Sequence, residues 1–199
     1  MKRKLVIFDL DGVLVDACEW HRVAFNHALK QVCNYEISLD EHYTTFNGIP
    51  TKKKLEKLTE KGILKKEQHK EIFIIKQNKT IEIIERNATK RQEKIDLINF
   101  LKDSGCFVCC FTNSIRKTAN LMLKKTGILD LFDSIITNED VNRPKPSPEG
   151  YNFLVNKYGF DKSEVIIVED SPKGVQAAVS SGCRVVVVKN PNEVTIELL

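Results

Sequence analysis

Two aspartates two positions apart follow an apolar segment near the start of the chain. Leu5–Phe8 is entirely apolar, and Asp9, Leu10, Asp11 and Gly12 come directly after it. Such a run predicts a buried strand, and the glycine predicts a turn at its end. Positions i and i+2 of an extended chain point the same way, so both carboxylates are expected in one pocket. Carboxylates this close repel each other unless a cation or a shared proton offsets the charge.

A second pair of carboxylates follows another apolar run. Val165–Val168 leads into Glu169 and Asp170. Together, Asp9, Asp11 and Asp170 would form an oxygen-rich site that favours Mg²⁺ over Ca²⁺. These segments contain no histidine, which argues against zinc. The alternative is a solvated acidic turn, which accounts for Asp11 about as well as a site does but accounts less well for Asp9.

Two further segments carry groups suited to phosphate. Thr112, Asn113 and Ser114 follow the apolar run Phe107–Phe111, and hydroxyl, amide and backbone N–H groups at a helix start can cradle an anion. A helix N-cap at Asn113 or Ser114 is an alternative that is compatible with such a site. Lys145 lies among three prolines, which fix the backbone around it, so it is a candidate fixed cation.

The elements that must position these residues alternate along the chain. Helix-like segments at 115–125, 148–157 and 172–180 separate the later apolar runs. This alternation predicts a parallel α/β sheet with right-handed crossovers, in which ligands bind beyond the carboxyl ends of the strands. The predicted strands are Leu5–Phe8, Phe107–Phe111, Ser134–Thr137, Val165–Val168 and Val185–Val188.

One interval, from Asp16 to about Thr89, has helical periodicity and no strand-like run. Asp16 is expected to cap its first helix, with Glu19 completing a capping box. Phe46–Pro50 predicts a turn, and Glu71–Glu85 predicts an amphipathic helix. We therefore expect a helical domain at residues 16–89, inserted into an α/β core formed by residues 1–15 and 90–199.

Basic residues concentrate in this helical interval. Residues 51–94 contain 14 Lys and Arg against 7 acidic residues, a balance of +7 in a chain of net charge +4. Lys52, Lys53 and Lys54 stand at a predicted helix start, where cations oppose the helix dipole, so they could face an anionic ligand or simply be solvated. Nucleic-acid binding is disfavoured, because the block lacks interleaved aromatic residues and a binding motif.

Composition favours a cytoplasmic enzyme. The chain has 199 residues, of which 42% are hydrophobic, and no apolar run is as long as a membrane span. The basic start leads into Asp9 and Asp11, which interrupt what would otherwise resemble a signal peptide. Cys106 and Cys109 have CxxC spacing, but residues three apart on a strand face opposite sides. We therefore expect the six cysteines to be reduced and used as small apolar residues.

The combined order of motifs resembles the haloacid dehalogenase superfamily of phosphotransferases, over nearly the whole chain. The order is DxDG, a hydroxyl residue after a strand, a lysine near prolines, and Glu-Asp. Phe8–Asp16 and Val168–Gly174 are similar to the β-phosphoglucomutase-like branch, whose helical cap follows the first motif. The resemblance implies a Rossmann-like core of five parallel strands in the order 5-4-1-2-3 with an inserted α-helical cap.

The resemblance also implies roles for the motif residues. Asp9 would be the nucleophile that forms an aspartyl-phosphate, and Asp11 would be the general acid and then the general base. Thr112 and Lys145 would hold phosphoryl oxygens. Mg²⁺ would be bound by Asp9, Asp170 and the backbone carbonyl of Asp11, with Glu169 supporting it directly or through water.

Residues outside these motifs are candidates for substrate binding. They are Asn113, Ser114, His21, Thr51, Lys52 and Arg116. Mutases of the resembling branch carry an arginine in the cap for the second phosphate of a sugar, and our alignment places Thr51 at that position. His21 corresponds to a position that is often histidine in both phosphatases and mutases; as an alternative, it is a polar packing residue.

The function expected from these residues is a Mg²⁺-dependent phosphatase that acts on a small phosphorylated metabolite. The first alternative is a β-phosphoglucomutase-like sugar phosphomutase, which would need a second phosphate site. A non-catalytic binding protein on the same fold is disfavoured, because Asp9 and Asp11 are both present. The sequence leaves the substrate and the oligomeric state open.

Overall fold

A five-stranded parallel sheet forms the centre of the computed structural model, which describes residues 4–199. The spatial order is β3-β2-β1-β4-β5, and all neighbouring strands are parallel. Read from the other edge, this is the expected order 5-4-1-2-3, so the predicted fold class is confirmed. The strands are β1 (Leu5–Phe8), β2 (Phe107–Phe111), β3 (Ser134–Ile136), β4 (Val165–Glu169) and β5 (Arg184–Val187).

The central strands are continuously apolar because both faces of the sheet are covered. Leu5 and Ile7 of β1 belong to one core cluster, whereas Val6 and Phe8 belong to the other. This is the alternation expected of an extended chain. The cysteines follow the same rule, since Cys109 and Cys110 lie in opposite clusters, and all six cysteines of the chain are free.

Helices provide the outer layers. The α-helices are α1 (Cys18–Cys33), α2 (Leu39–Glu41), α3 (Thr51–Glu60), α4 (His69–Asn87), α5 (Gln92–Asp103), α6 (Arg116–Thr126), α7 (Glu149–Tyr158) and α8 (Pro172–Ser181). Helices α5 and α6 contribute buried side chains to the cluster on one face of the sheet, and α7 and α8 contribute to the other. A π-helical turn spans His42–Phe46, and 3₁₀ turns span Lys66–Gln68, Leu129–Leu131, Lys162–Glu164, Pro191–Glu193 and Ile196–Leu198.

Helices α1 to α4 follow β1 and share a core of their own. Its buried residues include Phe25 and Leu29 of α1, Leu58 of α3 and Ile72 of α4. The expected turn after Phe46 is present, with Gly48 at a φ of 73°, where a side chain would be strained. In the described part of the chain, no helix is both long enough and apolar enough to cross a bilayer.

The expected capping box at Asp16 is wrong. Helix α1 begins at Cys18, and its N-cap residue is Ala17, which offers no side-chain hydrogen bond. Backbone bonds hold the intervening loop, such as Gly12 N–H to the Val15 carbonyl at 2.7 Å, and they delay the helix start. Asp16 is exposed, and Glu19 pairs with Arg22 instead, at 2.5 Å.

Candidate active site

The sheet register brings the polar residues together at the carboxyl ends of the strands. Phe8 pairs with Cys110 on one side and with Val168 on the other. Asp9 is therefore level with the ends of β2 and β4, and its backbone N–H donates to the Val168 carbonyl at 3.0 Å. A pocket at this edge is lined by both sheet-end residues and residues of the α1–α4 region, including Asp9, Asp11, His21, Thr112 and Lys145.

Lys145 occupies the centre of this edge and is 3% exposed. Its ammonium donates to Asp9 Oδ1 at 2.6 Å, to Glu169 Oε1 at 2.6 Å and to the Phe111 carbonyl at 2.7 Å. Burial alone would lower the pKa of Lys145, but the two carboxylates raise it above its ordinary value. Lys145 is therefore a fixed cation, whereas neighbouring Arg143 is exposed and pairs with Glu149 at 3.0 Å.

Glu169 is fully buried and is held by groups of the protein. Besides Lys145, the hydroxyl of Tyr151 donates to Oε1 at 2.6 Å, and the Asp170 N–H donates to Oε2 at 3.1 Å. Helix α8 approaches the carboxylate closely, because a Cβ added at Gly174 would lie 2.0 Å from Oε2. With both oxygens engaged, Glu169 is placed to position Lys145, which in turn holds Asp9.

Asp9, Glu169 and Asp170 form a cluster of carboxylates whose oxygens lie within 4.8 Å of one another. Burial and neighbouring carboxylates raise the pKa of Asp9 well above its ordinary value, against the opposing effect of Lys145. Burial and then Glu169 raise the pKa of Asp170 to about 7. Asp170 Oδ1 is buried and has no partner among the described residues. An unsatisfied oxygen in an all-oxygen, crowded acidic site fits a hard divalent cation such as Mg²⁺.

The Asp11 carboxylate faces the helical region rather than this cluster. Its Oδ2 accepts from Ser114 Oγ at 2.8 Å and from Thr112 Oγ1 at 3.2 Å, and its Oδ1 lies 2.9 Å from His21 Nε2. Burial raises the pKa of Asp11, but His21 and the two hydroxyls lower it to about 2. In this arrangement Asp11 is an ionised carboxylate, ready to accept a proton.

His21 connects Asp11 to a lysine of α4. Its Nδ1 lies 3.3 Å from Lys76 Nζ, and its Nε2 contacts Asp11. Burial and Lys76 lower the pKa of His21, so the ring is neutral at neutral pH. While Lys76 is charged its ammonium can only donate, so Nδ1 accepts from Lys76, and the proton of the ring lies on Nε2, from which it is donated to Asp11. His21 thus orients the Asp11 carboxylate and is more than a packing residue.

Asn113 and Ser114 do not cap helix α6, contrary to the alternative considered from the sequence. The helix begins at Arg116 after Ile115, and the Glu139 carboxylate accepts the Arg116 N–H at 2.6 Å. The hydroxyl of Ser114 instead donates to the Asp11 carboxylate. Asn113 instead joins two loops: Nδ2 donates to the Gly48 carbonyl at 2.8 Å, and Oδ1 accepts the Lys145 N–H at 3.1 Å.

The other candidate residues differ in position. Thr51 and Lys52 line the pocket at the N-terminus of α3, and Lys52 is exposed. Arg116 is not among the lining residues, because its guanidinium pairs with Asp140 at the surface. The structure therefore brings all the candidates except Arg116 to this pocket or to the carboxylate cluster, which shares Asp9 with the pocket.

From the sequence, Lys76 and His42 were not considered as pocket residues, and Lys54 was considered only as one member of the Lys52–Lys54 triplet. Lys54 and Lys76 are each 6% exposed, and His42 is 1% exposed, and all three line the pocket. A signal for the lysines was available. Lys54 is four residues before Leu58, and Lys76 is four residues after Ile72, so both occupy the buried stripe of an otherwise amphipathic helix. Charged residues are rarely buried without a partner, so such a position merits attention.

Comparisons with known proteins identify the family of the chain. The model of the family described as haloacid dehalogenase-like hydrolase matches residues 6–188. Pyrophosphatase PpaX of Bacillus velezensis is 29% identical over 187 residues, which cover 90% of this chain and 80% of the relative. A phosphoglycolate phosphatase of Haemophilus influenzae is 27% identical over 194 residues, covering 92% of this chain and 84% of the relative.

A solved structure shows the same fold at lower identity. The β-phosphoglucomutase of Clostridium difficile superposes with a TM-score of 0.84 and 22% identity, covering 98% of this chain and 94% of that chain. The sheet order is the one that the sequence resemblance implied, and the family match spans both the first aspartate motif and the Glu169–Asp170 motif. The chain therefore belongs to the haloacid dehalogenase-like hydrolases.

Proposed function

We propose that this protein is a Mg²⁺-dependent phosphatase that hydrolyses a small phosphorylated metabolite through an aspartyl-phosphate on Asp9. The observation that carries the proposal is the arrangement around Lys145: one buried ammonium fixes Asp9 Oδ1 at 2.6 Å, while Asp11 stands two residues on as a separately held carboxylate. A nucleophile and an acid–base group thus face the same pocket. The relatives named as phosphatases support this reaction class.

In the first step, the free oxygen of Asp9 attacks phosphorus, and the bond to the leaving oxygen breaks. That oxygen takes a proton from Asp11. The carboxylate of Asp11 is ionised in this structure, so it must take up a proton from solvent when substrate binds; the negative charge of an incoming phosphate raises its pKa in the required direction. Lys145 and Thr112 are placed to stabilise the charge on the phosphoryl oxygens.

In the second step, Asp11 takes a proton from water, and the water oxygen attacks phosphorus. The bond to Asp9 breaks and inorganic phosphate leaves. The hydrogen bonds from Ser114 and His21 hold Asp11 in position for both transfers. Splitting the reaction through a covalent intermediate replaces one difficult displacement with two easier ones.

Asp9 and Asp170, with the backbone carbonyl of Asp11, would hold Mg²⁺, and Glu169 would support them. The bound ion would screen the repulsion between an anionic nucleophile and an anionic substrate. The partnerless Asp170 Oδ1 and the close packing of the three carboxylates support this assignment.

Residues 16–89 are proposed to form the cap over this site. Their helices share a core of their own, and they contribute His21, Lys54 and Lys76 to the pocket. The Asn113 to Gly48 hydrogen bond links the cap to the sheet end. A closed cap would exclude bulk water and strengthen the electrostatic interactions inside. We also propose a cytoplasmic location, supported by six unpaired cysteines.

A sugar phosphomutase is the second candidate. The cap side of the pocket carries Lys54 and Lys76, which could hold a second phosphate, although Thr51 replaces the expected arginine. A mutase would convert β-glucose 1-phosphate to glucose 6-phosphate only after priming with a glucose bisphosphate. A phosphatase would release inorganic phosphate without it.

The substitution Asp9→Asn tests the proposed function. Phosphate release from p-nitrophenyl phosphate with Mg²⁺ should fall by about a thousandfold or more, because the amide lacks the nucleophilic charge. The control Asp16→Asn, an exposed aspartate outside the pocket, should keep wild-type activity. Acid-quenched wild-type protein should yield an Asp9 peptide carrying phosphate. Substantial turnover by folded Asp9→Asn protein would overturn the assignment.

A further inference from the structure

Four lysines in the described part of the chain are nearly fully buried, and they differ in the groups that their ammonium contacts. Lys145 contacts two carboxylates, and Lys94 donates to the Pro191 and Val194 carbonyls at 2.6 and 2.9 Å. Within residues 4–199, Lys54 and Lys76 form no ion pair with any carboxylate. Lys76 has one neutral partner, His21, and Lys54 lies 5.6 Å from the centre of the Phe25 ring.

A buried ammonium without a directly paired carboxylate is costly. The charge of Asp11 favours both ammonium groups only from a distance, so an anion bound beside them would supply the missing partner. Both side chains line the pocket that also contains Asp9 and Asp11. Burial, and in the case of Lys76 also repulsion by Lys54, lowers the pKa of the two groups, to about 8 for Lys54 and about 7 for Lys76. The two cations are thus close enough to repel each other, and an anion between them would relieve that repulsion.

Neutral polar groups on the same side of the pocket also lack partners. Both ring nitrogens of His42 and the Oε1 atom of Gln77 are buried without a hydrogen bond from the described residues. Burial and the neighbouring Lys54 lower the pKa of His42 to about 4, so the ring is neutral and offers one donor and one acceptor. The His42 donor is suited to a carboxylate or hydroxyl oxygen of a ligand, and the two acceptors, the other His42 nitrogen and Gln77 Oε1, are suited to a ligand hydroxyl.

The position of this polar group relative to Asp11 indicates which part of the substrate it meets. Lys76 is separated from Asp11 only by the His21 ring, and Asp11 is the residue proposed to protonate the leaving oxygen. The N-terminus of α3, whose first backbone N–H groups have no intrahelical partner, adds to the positive potential at Thr51 and Lys52. These groups therefore surround the leaving group rather than the transferred phosphoryl group.

We propose that the leaving group of the substrate carries a second anionic group, a carboxylate or another phosphate, and that Lys54 selects for it. The inference rests on the proposed phosphatase function and adds its substrate class. Lys76 assists from the other side while it also orients His21. Lys54 is the sharper test residue, because it forms no hydrogen bond with the described residues and its removal leaves the Asp11 contacts in place.

Matched substrates test the proposal. One pair is phosphoglycolate and 2-hydroxyethyl phosphate, in which a hydroxyl replaces the carboxylate; a longer pair is glucose 1,6-bisphosphate and glucose 6-phosphate. The wild type should prefer the doubly anionic member of at least one pair. Lys54→Met should lower kcat/KM for that member by about tenfold or more. For the member whose leaving group is neutral, it should change kcat/KM by less than about twofold. Lys54→Arg should restore the preference, and Lys57→Met, an exposed lysine on the same helix, should behave as wild type.

The outcomes separate the two proposals. If p-nitrophenyl phosphate is hydrolysed but neither pair is discriminated, or Lys54→Met affects both members equally, the selectivity inference is wrong and the phosphatase stands. If nothing is hydrolysed, the proposed function fails. Calorimetric titration of the Asp9→Asn protein with the same compounds then decides the inference alone. Tighter binding of the doubly anionic compounds that disappears in Asp9→Asn/Lys54→Met protein supports it, and its absence overturns it.

Discussion

Lys145 illustrates how one residue can serve both stability and chemistry. Its ammonium lies between Asp9 and Glu169, and the ring of Phe111 is 4.7 Å away. Without it, two buried carboxylates would face each other with no cation. Removing one partner of a buried ion pair is strongly destabilising, because the charge that remains is stabilised neither by water nor by a counter-ion.

The substitution Lys145→Met should therefore damage the fold and the activity together. In the presence of a chelator, the free energy of unfolding should fall by roughly 3 to 5 kcal/mol. The matched control is Arg143→Met, two residues away and exposed, which should change it by less than about 0.5 kcal/mol. Urea denaturation measures both. Equal small effects of the two substitutions would mean that the ion pairs of Lys145 contribute little to the stability of the fold.

The buried pocket lysines give substrate selectivity a pH dependence. Lys54 and Lys76 have pKa values lowered to about 8 and about 7, so each loses its charge as pH rises through that range. Anion binding is then strongest well below pH 7, weakens as pH rises through the two pKa values, and is lost well above pH 8. The titratable groups that face them are Cys18 from α1, His21 from α1, Asp11 from the loop after β1, and His42 from the π-helical turn.

The ratio of kcat/KM for phosphoglycolate to that for 2-hydroxyethyl phosphate should fall as pH increases from 7 to 9. Because kcat/KM reports the free enzyme and the ratio cancels groups common to both substrates, it isolates the leaving-group site. Lys54→Arg should flatten the upper part of the decline, since arginine stays charged. A ratio that is constant with pH in the wild type would contradict this origin of selectivity.

At the scale of secondary structure, prediction succeeded where burial alone decides the pattern. Strands β1 and β2 begin and end as predicted, β3 and β4 differ by one residue at one end, and β5 is shifted by one residue at both ends. Continuous apolar runs identify strands that are buried on both faces. The parallel order then placed Asp9, Thr112, Glu169 and Asp170 at one edge. Helix starts were harder to predict. The first N–H of α6, that of Arg116, donates to Glu139, which lies far from it in the sequence.

The direction of a side chain on a helix was the least accessible feature. Lys52, Lys53 and Lys54 are adjacent in sequence, yet the first two are exposed and the third is buried in the pocket. Which of the three points inward depends on how α3 packs against Phe25 and its neighbours. Residues of the helical region such as His42 and Gln77 were missed for the same reason, because their relevance arises only when separate helices meet.

Asn113 provides a prediction at this scale, because it joins three segments. It connects the loop after β2 to Gly48 in the helical region and to the backbone of Lys145. Asn113→Ala should raise KM and lower kcat by about tenfold together, since both the Gly48 turn of the helical region and the Lys145 loop lose a contact. Asn120→Ala on α6, outside the pocket, is the control. A change in KM alone would indicate that Asn113 only contacts substrate.

At the scale of the whole molecule, stability should depend on the divalent cation. The carboxylates of Asp9, Glu169 and Asp170 are held together by the fold, so a cation bound there stabilises the folded state relative to the unfolded chain. At a Mg²⁺ concentration about 100 times Kd, the gain is about 2.7 kcal/mol. We expect Mg²⁺ to raise Tm and support activity, and Ca²⁺ to inhibit, since it prefers more ligands and looser geometry.

Thermal unfolding of Asp170→Asn measures this dependence without relying on turnover. The variant should lose the Mg²⁺-induced rise in Tm, whereas Asp16→Asn should keep it. Full activity of the wild type in excess chelator, or an unchanged shift in Asp170→Asn, would argue that the ion binds elsewhere or is not required.

The uneven charge of the chain also acts at this scale. Residues 51–94 carry +7, while the remainder of the chain carries −3. In the structure many of these cations pair at the surface, as Lys53 does with Glu56 at 2.8 Å, and only a few reach the pocket. Lys52 lies at the pocket and is exposed, so it can attract an anionic substrate before the buried lysines bind it.

Lys52→Ala should therefore lower kcat/KM for an anionic substrate about two- to threefold at low ionic strength, mainly through KM. The effect should vanish near ~1 M salt, where the screening length is ~3 Å, because an exposed charge acts through solvent. Lys65→Ala, also exposed but outside the pocket, should have little effect at any salt concentration. The loss in Lys54→Met should persist at high salt, since that ammonium is buried. Equal, negligible effects of Lys52 and Lys65 would leave substrate capture to the buried lysines alone.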